Sequence, residues 1–199
     1  MFTFAIMDMV AKKSRKAQIE EKATRLFREK GYAATSMRDL AQVLGIEAAS
    51  LYSHIKSKEE ILQKVCFRMA DEFFDAWKVV ELANTSYAQQ MEKAALAHVK
   101  VITADTDASA VFFNEWRHMS EPYLSDFLNM RDDYEGRFIN IIERGIEAGE
   151  FQPVDAKFMM LAILSTLNWT HTWYKAEGTL RPEEVAKKLS NLILNGLKK

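Results

Sequence analysis

Two short stretches of helical periodicity on either side of a single glycine constrain this chain more than any other feature. Met37, Leu40, Ala41 and Leu44 fall at i, i+3, i+4 and i+7, one face of a helix. Ser36, followed three residues later by Asp39, reads as a capping box, so the helix is expected to begin at Met37. Gly45 supplies the left-handed backbone position that ends it. In the stretch that follows, Ala48, Leu51 and Ile55 face inward, which leaves Ala49, Ser50, Tyr52, Ser53 and His54 pointing outward or sideways. Helix, glycine turn and short helix make a helix-turn-helix. An ordinary αα-hairpin inside a bundle would show the same spacing, so the side chains must separate the two. An outward face of Ser, Tyr, Ser and His, with no carboxylate between Glu47 and Glu59, suits phosphate oxygens and base edges. Arg38 and Lys58 stand where both can reach phosphates.

The rest of the chain reads as helix throughout. Only 7 glycines and 3 prolines occur among 199 residues, which favours long uninterrupted helices over many short strands. A first helix is expected over 14–30, with Ile19, Ala23, Leu26 and Phe27 inward and Gly31 as its stop. Lys12, Lys13, Arg15 and Lys16 ahead of it are either a solvated helix start or a basic arm for phosphates. Ile61, Leu62, Val65, Met69, Phe73 and Trp77 keep helical spacing from 58 to 80, after which Asn84-Thr85-Ser86 is a break and a cap. Further helices are expected at about 86–104 and 107–118. Ser120-Glu121-Pro122 caps another that runs to Gly149, with Pro122 in its first turn. Residues 155–176 are apolar nearly all round, so that helix needs burial on both sides, and a partner subunit is the plausible second side. A last amphipathic helix covers about 182–197. The fold class is therefore all-α: a loosely ordered extension over 1–13 (Met7 or Met9 being alternative starts), a three-helix head over 14–60 and a helical body over 61–199.

Charge is divided along the chain. Residues 1–66 hold 12 Lys/Arg against 8 Asp/Glu, and the remaining 133 hold 15 against 20. A basic head on an acidic body fits nucleic acid at one end only. Cys66, the single cysteine, excludes an intramolecular disulfide and reads as a buried hydrophobe in a reducing, cytoplasmic setting. No run approaches the ~18 apolar residues of a membrane span. No phosphate-binding loop, dinucleotide glycine pattern, Gly-x-Ser-x-Gly or His-Glu-x-x-His occurs, so no catalytic residue, metal or cofactor is expected. Glu115 and His118 share a helical face, with His98 and His171 elsewhere, a pairing common on helices by chance.

The string Gly-Ile-Glu-Ala-Ala-Ser-Leu-Tyr-Ser-His-Ile-Lys-Ser-Lys-Glu-Glu-Ile-Leu over 45–62 resembles the DNA-binding domain of the TetR/AcrR family almost position by position. Leu26-Phe27, Gly31-Tyr32 and Thr35-Ser36 extend the resemblance back to about residue 14. It implies a homodimeric, ligand-responsive transcriptional regulator, a repressor first and an activator as the alternative, that reads a pseudo-palindromic DNA operator. Arg38 and Tyr52 would contact bases, Ala48 and Ala49 would lie near thymine methyls, and Ser36, Ser50, Ser53, His54 and Lys58 would hold phosphates. No Gln or Arg stands at 48–50, so base hydrogen bonds there should be sparse and DNA shape correspondingly important. The dimer would pair helices 155–176 and 182–197 as a four-helix bundle.

All four tryptophans lie in the body. A core rich in aromatics accounts for most of its rings, and a subset is expected to line an apolar ligand pocket: Phe73, Trp77, Phe112, Phe113, Trp116, Met130, Met160, Trp169 and Trp173. Glu-Trp-Arg-His at 115–118 and Asn-Trp-Thr-His-Thr-Trp-Tyr at 168–174 resemble family members that respond to acyl-CoA thioesters, which would make Arg117 a partner for phosphate or carboxylate. A rival of another class is a helical enzyme or carrier with a structural N-terminal domain, separable by ligand turnover.

Overall fold

The computed structural model describes residues 14–81 and 85–198. Among them are ten α-helices, one 3-10 turn and no strand, the single pairing of extended backbone being an isolated bridge between Phe151 and Lys198. The expected extension over 1–13, with Lys12 and Lys13, lies outside the described residues, as does Asn84 of the expected break.

Local chemistry sets the first three helices. α1 (Arg15–Lys30) starts where the Ser14 hydroxyl accepts from the Ala17 N–H and stops at Gly31, φ 84°. α2 (Met37–Leu44) carries the complete capping box: Ser36 Oγ accepts from the Asp39 N–H at 3.1 Å, and the Asp39 carboxylate accepts from the Ser36 N–H at 2.8 Å. At its other end Gly45 sits at φ 65° and donates to the Gln42 carbonyl, while Ile46 donates to that of Ala41. These are the two bonds of a Schellman motif, which turns the chain sharply into α3 (Ala48–Tyr52). Leu40, Ala41, Leu51 and Ile55 are buried against Ile19, Ala23 and Phe27 of α1.

The body follows as α4 (Lys58–Glu81), α5 (Tyr87–Ala104), α6 (Thr106–Glu115), the 3-10 turn Trp116–His118, α7 (Tyr123–Glu147), α8 (Ala156–Asn168), α9 (Thr170–Trp173) and α10 (Pro182–Leu197). Three details depart from the periodicity. The helix expected over 107–118 tightens into the 3-10 turn at Trp116, and Pro122 is the cap residue before α7, outside its first turn. The helix expected over 155–176 breaks at Trp169. There the Asn168 carbonyl accepts from the His171 ring at 2.6 Å, and the Thr172 N–H, its partner in an uninterrupted helix, turns to the Trp169 carbonyl.

Two apolar clusters fill the interior. The first joins α1–α3 to the near half of α4 and to Ile102, Val111 and Phe127 of the body, so the head has no core separate from it. The second gathers Trp77, Met91, Phe138, Ile142, Met160, Leu167 and Ile193 at the far end. Polar ties reinforce the head side. Arg28 pairs with Asp107, and Arg68 on α4 reaches Glu20 at 3.3 Å, Glu72 at 2.7 Å and Asp105 at 3.5 Å. Such half-exposed pairs add little stability but fix α1 against α4 and α6.

Candidate functional site

The outer face of α3 is free of packing. Tyr52 is 55 % exposed and Ala49, Ser50 and Ser53 are exposed, while Ala48 and His54 are partly buried. Arg38 is exposed on α2. Ser36 is exposed too, although its hydroxyl is engaged by the capping box. The Ser53 hydroxyl donates to the Ser50 carbonyl at 2.7 Å, which leaves its lone pairs for a donor and no proton for a phosphate. A shallow groove between the start of α2 and the segment after α3 is lined by Ser36, Met37, Tyr52, Lys56 and Lys58. Lys56, exposed there, was missed by the sequence reading, although the run Lys56-Ser57-Lys58 carried a signal for it.

Lys58 departs from expectation. Its ammonium donates to the carbonyls of Tyr32 at 2.9 Å, Thr35 at 2.8 Å and Ala33 at 3.4 Å, and lies 4.3 Å from the centre of the Tyr32 ring. An ammonium has three N–H donors, and three carbonyls occupy them. Here Lys58 fastens the α1–α2 loop, with no proton left for a phosphate.

Next to it the head meets the body. The Tyr32 ring stacks on His118 with centroids 5.1 Å apart, and burial together with the Glu59 charge pushes its hydroxyl up to about 12. Glu59 accepts from both the N–H (2.8 Å) and the hydroxyl (2.5 Å) of Ser120, two bonds that hold its carboxyl below the usual range. The 3-10 turn thus touches the head through His118, and its neighbour Ser120 does so through Glu59. His118 lies 3.4 Å from Glu115, and among the described residues no group of three His, Cys, Asp or Glu is placed to hold a metal ion.

The other side of the same turn borders a cavity of about 250 Å³. Of the expected lining, Phe73, Phe112, Phe113, Trp116, Arg117 and Met130 are there. Four expected residues are not. Trp77 and Met160 are buried in the far cluster, and Trp169 and Trp173 are 64 % and 42 % exposed on the outer surface. The break after Asn168 redirects the last two: a periodicity read as one helix gives the wrong facing beyond it. The cavity also takes residues that the sequence reading did not place there, namely Phe127, Arg131, Tyr134, His98 and Asn168. A single histidine on the apolar face of α5, and an amide closing the apolar α8, were the signals available.

Charge and polarity are graded along this cavity. Arg117 and Arg131 lie over the Trp116 ring, 4.2 and 5.4 Å from its centre, and both are exposed. Arg131 is paired with Asp132 and Glu135, whereas no carboxylate pairs with Arg117 among the described residues. His98 is fully enclosed. Its Nε2 lies 2.8 Å from Asn168 Oδ1, an acceptor, so Nε2 carries the proton; Nδ1 then accepts from the Tyr134 hydroxyl at 3.0 Å. Burial lowers the His98 ring to about 4, against the opposing Asn168 bond, and raises the Tyr134 hydroxyl. The inner wall is therefore polar and uncharged at neutral pH.

Comparison with known proteins identifies both parts of the chain. Residues 19–65 match "Bacterial regulatory proteins, tetR family", and residues 84–197 match "Tetracyclin repressor-like, C-terminal domain". The HTH-type transcriptional repressor KstR2 of Rhodococcus jostii is 25% identical over 195 residues, 96% of this chain and 94% of that protein. The solved TetR family transcriptional regulator PfmR of Thermus thermophilus is 34% identical with a TM-score of 0.79, covering 92% of this chain and 100% of PfmR. AibR, in complex with isovaleryl coenzyme A and operator DNA, shares the fold at a TM-score of 0.78 and 21% identity, over 89% of this chain and 97% of AibR. The matched head and body together make this chain a member of the TetR family of bacterial regulatory proteins.

Proposed function

We propose that this protein is a homodimeric transcriptional repressor whose DNA operator is vacated when a hydrophobic small molecule, of the acyl-CoA thioester class, enters the body cavity. One observation carries the reading: the 3-10 turn Trp116–His118 borders the cavity on one side and the head on the other. The head (14–60) offers α3 to a major groove, with Tyr52 and Arg38 toward bases, Ala48 and Ala49 toward thymine methyls, and Ser50, His54 and Lys56 toward phosphates, whereas the Ser36 hydroxyl, like that of Ser53, has already given its proton away, here to Asp39. Lys58 acts one step back, by holding the loop that sets α2. Two heads reading a pseudo-palindrome require a dimer. Phe158, Leu161, Trp169 and Leu192, all exposed on α8–α10, supply an apolar face for a second copy.

The cavity measures about 250 Å³. It accommodates an acyl group, and a coenzyme A nucleotide stays outside at the exposed arginine end. Arg117, without a carboxylate partner among the described residues, receives the anionic head there, as it would a phosphate of isovaleryl coenzyme A, the ligand AibR holds. An acyl group between Phe112, Trp116 and Phe127 displaces the 3-10 turn, and His118 and Ser120 pass the shift to Tyr32 and Glu59. Effector and operator therefore weaken each other's binding by the same factor.

The test is a titration of the gene's own upstream DNA, with salt varied and acyl-CoAs of increasing length added. Saturable, steeply salt-dependent binding that an acyl-CoA releases is expected. Specific binding that no acyl-CoA disturbs would remove the effector assignment and leave the head's role standing.

A further inference from the structure

The inner wall of the cavity is more than a hydrophobic surface. His98, Tyr134 and Asn168 come from three helices and meet in one hydrogen-bonded network. With Nε2–H of His98 donated to Asn168 Oδ1 and the Tyr134 proton donated to Nδ1, both ring nitrogens are satisfied. What is left over faces no protein partner: the Asn168 amide N–H₂ has no acceptor among the described residues, and the Tyr134 oxygen keeps its lone pairs. Both residues line the cavity.

The network is also held in place by its surroundings. Asn168 is the last residue of α8, fixed by the break that gives its carbonyl to the His171 ring. Phe73 lies against the His98 ring, centroids 4.6 Å apart, and Trp77 against the Tyr134 ring at 5.4 Å. Asn168 is half-buried where it lines the cavity, and an amide donor without a partner there is disfavoured beside a plain hydrocarbon and favoured beside an oxygen.

We propose that the His98–Tyr134–Asn168 network is a recognition site for an uncharged oxygen, a ketone or hydroxyl, carried on the part of the effector that enters the cavity. The Asn168 N–H₂ donates to that oxygen, and a hydroxyl would in addition donate to Tyr134. A carboxylate is disfavoured, because the cations that line the cavity, Arg117 and Arg131, lie at its exposed end. The preferred ligand has three parts: an anionic head at Arg117, an apolar middle among the aromatic rings, and an oxygen at the far end. This rests on reading the cavity as the effector site.

The experiment compares two matched pairs of probes by calorimetry against the full chain. One pair is 7-oxo-octanoyl-CoA and its 7-methylidene isostere; the other is octan-2-one and its methylidene isostere, which lack the coenzyme head. The oxygenated member of each pair should bind roughly tenfold or more tightly than its isostere. Asn168→Leu should erase that ratio while binding of the isosteres persists, and Tyr134→Phe should reduce it, each variant being checked for folding by circular dichroism. Preference for the ketone without any thioester binding would keep this site and remove the acyl-CoA class proposed above. Equal affinities within each pair, an unchanged ratio in folded variants, or no binding by any of the four probes would overturn the inference.

Discussion

The head and the cavity both set polar groups into apolar surroundings, but over very different lengths of chain. The caps and the turn that orient α3 relative to α2 come from residues 36–55, with α1 and the near half of α4 as the floor beneath them. The cavity draws on α4, α5, α6, α7 and α8, and two hydrogen bonds of its inner wall span 36 and 70 residues. Short-range chemistry builds the part that must present a fixed shape. Long-range packing builds the cavity proposed above for the effector. The two should therefore fail under different insults.

The largest effect is expected from the local side. Leu51, fully buried under α3, becomes a void in Leu51→Ala, a loss of about 2–5 kcal/mol. Operator binding should disappear while an acyl-CoA still binds the body, as gel shift and calorimetry on the same preparation would report. Loss of both together would dissolve the contrast between the two regions.

Acid should strike the other region. His98 is about 4 in the folded protein and near 6.5 when unfolded, so the unfolded chain takes up the proton first. The stability this ring contributes by staying neutral is present above about pH 6.5, is lost as pH falls toward 4, and amounts to on the order of 3 kcal/mol. Urea denaturation at pH 7, 5 and 4 should show that decline, and His98→Phe should flatten it. A wild-type slope that His98→Phe leaves unchanged would place the acid sensitivity elsewhere.

Smaller changes separate recognition from support. Tyr52→Ala should weaken operator binding roughly tenfold or more without altering dimerisation or effector affinity. Lys58→Met should also weaken it, by loosening the α1–α2 loop. Its salt dependence should match that of the wild type, because a lost phosphate contact would lower the logarithmic slope by ~0.9. A shallower slope would return Lys58 to the DNA. The smallest effect belongs to the joint between the regions. Glu59→Gln weakens the bonds from Ser120 and should leave operator affinity near the wild-type value while reducing its response to effector a few-fold. An undiminished response would move the coupling to the His118–Tyr32 stack or to α4 itself.

Much of the head was legible because its determinants are close in sequence. Ser36 and Asp39 are three residues apart and cap each other, and Gly45 adopts the left-handed backbone expected of it. The misplaced residues share a different cause. Trp169 and Trp173 continue the apolar pattern of a helix that ends at Asn168, where the His171 ring turns back onto the Asn168 carbonyl. Lys58 looked like a free cation until the fold brought the carbonyls of Tyr32 and Thr35, more than twenty residues earlier, around its ammonium. Trp77 and Met160 have the composition of pocket walls but lie in the far cluster.

The sequence alone determined the all-helical class, the helix-turn-helix and its outward face, since helix periods, caps and glycine turns act over a few residues and their energies do not depend on what is far away. The tertiary structure alone decided which aromatic rings surround the cavity, that His98 is kept neutral by burial beside Tyr134 and Asn168, and that Arg117 has no carboxylate partner among the described residues. Burial and hydrogen bonding between distant segments depend on how whole helices pack, and a periodic pattern records that a face is buried without recording what it is buried against.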